Sequence, residues 1–465
     1  MLVSQATRSK AIPSAALAAV LGLAAAGCTE GGGAPATVSS ASAGPSASAE
    51  ERTFPVSAAT TGGGADTDEF LAIALTADGG SIAAGATYSV DGVFPPSQGG
   101  YDALLARFDS ELNLVWSNTL GGSADDAFWS VAAAADDGAV AAGRTSSTDG
   151  IFAPSRGGDS ALLARFDGDG NLIWSTALGG TDASEFFAVG AAVDGGIVAV
   201  GQTSSVDGDF DPSAGGYDGL VARFDTDGNL LWSKTVGGAG DDSFFAMVTT
   251  ADGGVIAAGA TASADGDLPP SQGGGDALLV RFDADGELLW ANTLGGAERD
   301  VFSAVLTVAD GGIVVAGQTA STDGVFPPSQ GADDTLVARF DAQGDLVWSN
   351  TLGGSGTDGF VAIGAAALGG VIVAGQTSST DGPFAASRGG SDTLLAWFSP
   401  EGSLVWSKTL GDSADDGFSA LATDAAGGAT VAGWTASADD EDLPPSRGGD
   451  DVLVAKFDLA KLDLS

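Results

Sequence analysis

Apolar residues in this chain come in short alternating runs separated by Gly-rich or Asp-Gly turns, and no segment sustains a helical period. The stretch 186–236, FFAVGAAVDGGIVAVGQTSSVDGDFDPSAGGYDGLVARFDTDGNLLWSKTV, is representative. Its pattern predicts four strands, over 186–192, 197–203, 218–225 and 230–236, with hairpin-type turns between them. In the third strand of the first copy, Leu104, Ala106 and Phe108 point to one side and Leu105, Arg107 and Asp109 to the other. Such a sheet has an apolar layer on both faces, so it predicts neighbours on both.

The four-strand unit recurs. Trp116, Trp174, Trp232, Trp290, Trp348 and Trp406 are each 58 residues apart, and Phe70, Phe128, Phe186, Phe244, Phe302, Phe360 and Phe418 follow the same period. The seventh tryptophan would fall at Ala58. Four strands per repeat is the content of one propeller blade, and seven repeats predict an all-β, seven-bladed β-propeller over 53–465. The segment 54–64 (FPVSAATTGGG) aligns with the last strand of a repeat, while the final copy stops after its third strand near Asp458. The first strand is therefore expected to complete the last blade, closing the ring without an unpaired edge.

The segments DALLARFDSELNLVWSNTLGG and VDGGIVAVGQTSSVDG resemble the bacterial β-propeller repeat of many surface proteins and lipoproteins, over roughly 53–458. That resemblance implies architecture and a place in the cell envelope. Propellers host both enzymes and binding modules, so it implies no particular activity.

Charge and rare residues narrow the function. The formal charge of −44 repels nucleic acid and anionic headgroups, leaving cations, basic proteins and neutral glycans as partners. There is no histidine, which removes the commonest general base and metal ligand. The single cysteine, Cys28, excludes an internal disulfide.

Residues 1–27 read as an export signal, with Arg8 and Lys10 ahead of an apolar run over 15–26 that is too short to span a bilayer as a stable helix. The run ends in Ala25-Ala26-Gly27-Cys28, which resembles a lipobox. The resemblance implies acylation of Cys28 and a membrane tether through its lipid, with outer-membrane placement in a Gram-negative host because Thr29 rather than Asp follows. Residues 28–52, rich in Gly, Ser, Ala and Pro, are expected to be a flexible linker.

Candidate chemistry concentrates in repeated acids. Asp68, Asp126, Asp242, Asp300, Asp358 and Asp416 precede the first strand of their blades, with Ser184 in the third copy. If that strand lines the axis, these carboxylates are expected to encircle one mouth of the central channel. Asp91, Asp149, Asp207, Asp265, Asp323, Asp381 and Asp439 recur in the loop between the second and third strands. Asp102, Asp218, Asp276, Asp334, Asp392 and Asp451 open the third strand, with Ser160 beside Asp159 in the second copy. Oxygen-rich loops of this kind suit Ca²⁺, the one cofactor the residues suggest, although no complete EF-hand-like series is present. The other reading is that Asp and Ser fix the loops by bonding their own backbone.

No catalytic constellation stands out. Departures from the repeat are the Ser-for-Asp exchanges, Trp129, Trp397, Trp434 and the acidic loop 438–442. The expectation is a monomeric, non-enzymatic binding scaffold for a protein, glycan or cation. The alternative is a carboxylate-dependent hydrolase or lyase acting on an extracellular polysaccharide, with Asp439, Glu441 and Asp442 as its candidate acids.

Overall fold

The computed structural model describes residues 56–152, 154–384, 386–438 and 443–458. Cys28, the linker and the acids Asp439, Glu441 and Asp442 lie outside the described residues. The described residues form seven antiparallel four-stranded sheets. Strand β1 (Val56–Gly62) comes first, and the first blade is β2 (Asp68–Leu75), β3 (Ser81–Thr87), β4 (Asp102–Phe108) and β5 (Leu114–Leu120). The order repeats every 58 residues to β26 (Asp416–Thr423), β27 (Gly428–Thr435) and β28 (Asp451–Asp458). Strand β1 pairs antiparallel with β28, from Val56 opposite Phe457 to Gly62 opposite Val452, and so supplies the fourth strand of the seventh blade. The expected ring closure is present.

First strands of neighbouring blades adjoin all the way round, including β2 with β26, so they form the inner ring. In the third blade the strands run Ser184–Ala191, Ile197–Thr203, Asp218–Phe224 and Leu230–Val236. The first begins two residues before its aromatic because Ser184 and Glu185 pair with Thr203 and Gln202. Its register then shifts between Phe186 and Ala188, a bulge that leaves Phe187 unpaired. Phe186, fully buried, meets Phe210 and Phe224 edge to face at centroid distances of 6.0 and 5.9 Å.

The strand-three alternation builds the seams. Leu104, Ala106 and Phe108 pack with Ala420, Ala432, Val452 and Val454 of the seventh blade. Ala103 and Leu105, on the other face, pack with Phe128, Ala139 and Leu162 of the second. Each apolar layer thus belongs to two blades, and a blade has no complete core alone.

At the outer rim the recurrent tryptophan bridges the same seam. The Trp116 ring lies over Gly170 of the next blade, and its Nε1 donates to the Gly168 carbonyl at 3.1 Å. Arg107 donates to that carbonyl at 3.0 Å and pairs with Asp78 at 2.9 Å. Lys456, in the arginine position of the seventh blade, donates to the carbonyls of Gly79 and Ser110. A Cβ on Gly170 would lie 2.8 Å from the Trp116 ring, and one on Gly228 would lie 2.7 Å from Trp174. Where the tryptophan is replaced by Ala58, the glycine facing it is replaced too, by Leu112, which keeps the left-handed φ of 64° and is 4 % exposed. The leucine fills the volume an indole takes elsewhere.

This compensation predicts a coupled pair. Trp174→Ala alone is expected to cost about 2 kcal/mol and Gly228→Leu alone about as much, through cavity and collision respectively. The double variant should fall short of the sum by about 1–2 kcal/mol in a urea-denaturation cycle. Strict additivity would mean that ring and glycine do not share one volume.

Candidate functional site

Because strands alternate in direction, the loops entering each first strand and those joining second to third strands share one end of the ring. The six aspartates that open the first strands lie beneath that end, each with none of its surface exposed. Asp242 shows why. Its Oδ1 accepts from the Thr261 hydroxyl, and its Oδ2 accepts from the Ser263 hydroxyl at 2.7 Å and the Gly238 amide at 3.0 Å. The carboxylate therefore ties together the end of the second strand, the loop after it and the incoming interblade loop. Asp68, Asp300 and Asp358 repeat all three bonds. Asp126 accepts from Ser147 and Gly122, and Asp416 from Thr435 and Ser437. Burial raises the pKa of Asp242, with these hydrogen bonds opposing it. The six were expected to encircle one mouth of the central channel; each opens an inner-ring strand, and its carboxylate is buried as a clamp held by hydroxyl and amide donors and is not open to solvent. In the third blade, Ser184 bonds the Thr203 hydroxyl at 2.8 Å and holds the same two strands.

The second series stays at the surface. Oδ1 of Asp91, Asp149, Asp207, Asp265, Asp323 and Asp381 accepts the amides of Ala65, Ser123, Thr181, Ala239, Ala297 and Ser355, at 2.7–2.8 Å. Each caps the loop that enters its own blade. The donors from Ser123 hold the Asp149 carboxyl below its ordinary pKa. Among the described residues, no group of three or more His, Cys, Asp or Glu side chains is placed to hold a metal ion.

Sevenfold symmetry breaks at the centre. Trp129, Phe187, Phe245 and Val301, all from first strands, cluster with Tyr101 in a buried aromatic group. Arg144 sits beside them, its side chain 15 % exposed, bonded to Glu185, Asp159 and the Tyr101 hydroxyl. Its guanidinium carbon is 5.6 Å from the Tyr101 ring centre and 5.9 Å from that of Trp129, within cation–π range. Burial lifts the Glu185 carboxyl to about 6, with Arg144 opposing the rise. Glu69, 5 % exposed, is pushed up to about 8 by burial first and then by Asp450 and Asp68. The indole N–H of Trp129, Nε of Arg144 and Oε2 of Glu185 are buried without hydrogen-bond partners. This group was not singled out from the sequence. Its signal is in the residue after each first-strand aspartate, or after Ser184 in the third copy, which is Glu in two copies and Ala, Ser, Val or Gly in the others.

Fold and loop end together define a seven-bladed β-propeller of internally clamped, acid-rich blades. Residues 158–354 match the family described as outer membrane protein assembly factor BamB. The regulatory protein FlaEY of Caulobacter vibrioides is 30% identical over 190 residues, 38% of this chain and 20% of that protein, so the chain spans about a fifth of the length of that curated relative. Among solved structures, BamB from Moraxella catarrhalis aligns with a TM-score of 0.39 at 14% identity, over 83% of this chain and 85% of that one. The WD40 β-propeller domain of Doa1 aligns with a TM-score of 0.49 at 12% identity, over 88% and 98%.

Proposed function

We propose that the protein is a non-enzymatic interaction scaffold of the bacterial envelope, tethered through a lipid on Cys28, that binds a basic segment of a protein partner on its loop end. The observation that supports this reading is the charge of that end. Asp66, Asp91, Asp149, Asp182, Asp207, Asp265, Asp267, Glu298, Asp323, Asp381 and Asp415 are all exposed there. The recurrent arginines lie at the opposite end, where Arg107, Arg165, Arg223, Arg281 and Arg339 are paired with turn aspartates. Arg156, Arg388 and Arg447 are also exposed at the loop end, where these acids outnumber them, and an excess of acids attracts a cationic partner at long range and releases it as salt rises. Similarity of residues 158–354 to an outer membrane assembly factor family supports an envelope setting. The export signal and small-residue run before Cys28 support the lipid.

The test joins location and binding. Cys28→Ser should move the protein from the membrane fraction to the soluble one. A variant with Asp66, Asp182, Glu298 and Asp415 changed to Asn or Gln should keep its thermal midpoint and lose salt-sensitive crosslinking to envelope proteins in cells. Crosslinking unchanged in that variant would refute the binding reading, and membrane retention of the serine variant would refute the tether.

A further inference from the structure

The third aspartate series has a partner that lies one blade away. Asp102, Asp218, Asp276, Asp334, Asp392 and Asp451 are each at most 1 % exposed. One oxygen of each, Oδ2, accepts a loop amide, as Asp102 does from Gln98 at 2.6 Å. The other, Oδ1, is buried with no hydrogen-bond partner in all six. That orphan oxygen faces the clamp aspartate of the following blade across a glycine. A Cβ on Gly121 would lie 2.2 Å from Oδ1 of Asp102 and 2.6 Å from Oδ2 of Asp126. Around the ring, at Gly63, Gly121, Gly237, Gly295, Gly353 and Gly411, the two distances are 2.0–2.5 Å and 2.4–2.7 Å. Two carboxyl groups so placed repel when both are ionised, and an orphan acceptor becomes a donor once it is protonated.

The seventh seam is an internal control. Between the second and third blades the strand-three residue is Ser160 and the clamp residue is Ser184, on either side of Gly179. Both acids are exchanged together at the one seam that lacks either. Their loss as a pair, 24 positions apart in sequence, is what a two-carboxyl unit requires and what independent loop-fixing residues do not.

We propose that at six of the seven seams the strand-three aspartate carries a proton on Oδ1 and donates it to Oδ2 of the clamp aspartate in the next blade, so that each pair holds one proton. The pair then has a single negative charge, and the orphan oxygen is satisfied. When the proton leaves to solvent, two buried charges face each other across the seam. A divalent cation would require roughly six to eight oxygen ligands, and a seam offers two carboxyl groups.

Few other charges bear on these groups. Asp102 faces Asp126 and Asp125, Asp334 faces Asp358 and Asp333, Asp276 faces Asp300, and Asp218 faces Asp242. Asp392 faces Asp416 and Arg388, and Asp451 faces Asp68 and Arg447. Burial is the main cause that lifts Asp102, Asp276 and Asp392 to about 6, with the facing clamp aspartate adding to the rise. Since these folded values lie above the unfolded ones, the stabilising contribution is complete in acid below about pH 4 and is lost as pH rises through about 6.

The decisive replacement is asparagine, whose amide donates as the protonated acid does but cannot ionise. In the mature protein, changing the six strand-three aspartates to Asn should leave the thermal midpoint unchanged below about pH 4, where the folded and unfolded chains both hold these protons. At pH 8 it should raise the midpoint, on the order of 2 °C per seam. Carbon-13 titration of the wild-type aspartates provides a second reading that needs no variant. It should reveal a set titrating near pH 6 that the Asn variant lacks. A midpoint lowered by Asn at pH 8, or all wild-type aspartates titrating below about pH 4.5, would overturn the shared proton. So would a rise in the wild-type midpoint with millimolar Ca²⁺ at pH 8 that the Asn variant abolishes, which would make the seams cation sites.

Discussion

A chain shortened to begin after Gly62 should fail to form a stable monomeric ring. Strand β1 pairs with β28 over its whole length. Val56 and Ala59 pack on the apolar layer of the sixth and seventh blades, and Ala58 on that of the seventh and first. Without it the seventh blade has three strands, β28 presents an open edge, and two seams lose apolar cover. The loss is on the order of 5 kcal/mol or more, a large share of what a domain has in total. Thermal unfolding and size-exclusion chromatography should report a midpoint lowered by many degrees and a tendency to associate. A synthetic peptide of residues 53–64 should restore much of the stability by strand addition. An unaltered midpoint in the shortened chain would mean that ring closure contributes little.

The next largest effect is expected from one methyl group. Gly201 stands opposite Phe186 beside the bulge of the inner strand, and a Cβ there would lie 1.9 Å from the Glu185 carbonyl oxygen. That oxygen is backbone, so Gly201→Ala forces two paired strands apart next to a fully buried phenylalanine. The expected cost is about 3 kcal/mol or more by urea denaturation. Gly195 is the control. It sits in a turn at φ +88° with 3.9 Å of clearance, so alanine there meets only conformational strain of about 1 kcal/mol. Equal costs at the two positions would show that the approach of the strands is not what requires the glycine.

The architecture was legible because it rests on local patterns repeated seven times. Alternation in strand three marks both faces of a blade, and the spacing of Trp116 and its copies marks the blade boundary. What the aspartates do was much less so. Asp in a Gly-rich loop reads as a solvated turn residue, yet Asp68 and its copies are buried because Thr and Ser hydroxyls about twenty residues later in the chain turn toward them. Both serines of the third seam were visible as separate exceptions, but only the ring geometry places Ser160 and Ser184 across one glycine. The Ala58 and Leu112 exchange was hidden in the same way. A missing indole is conspicuous in a repeat, whereas its compensating leucine belongs to a different blade.

Closure of the ring also imposes an order in time. The Ser57 hydroxyl donates to the Lys456 carbonyl across 399 positions of sequence, so one strand of the seventh blade is made long before the other three. Each of the first six blades can pair its strands locally as it emerges, but β1 has no partner until β28 appears. Contacts this distant in sequence form slowly because the long intervening loop must close first. The nascent chain therefore carries an unmatched strand while the first six blades are made. Its composition, VSAATTG, suits that wait: apart from Val56 it has no large apolar side chain with which to recruit the wrong edge.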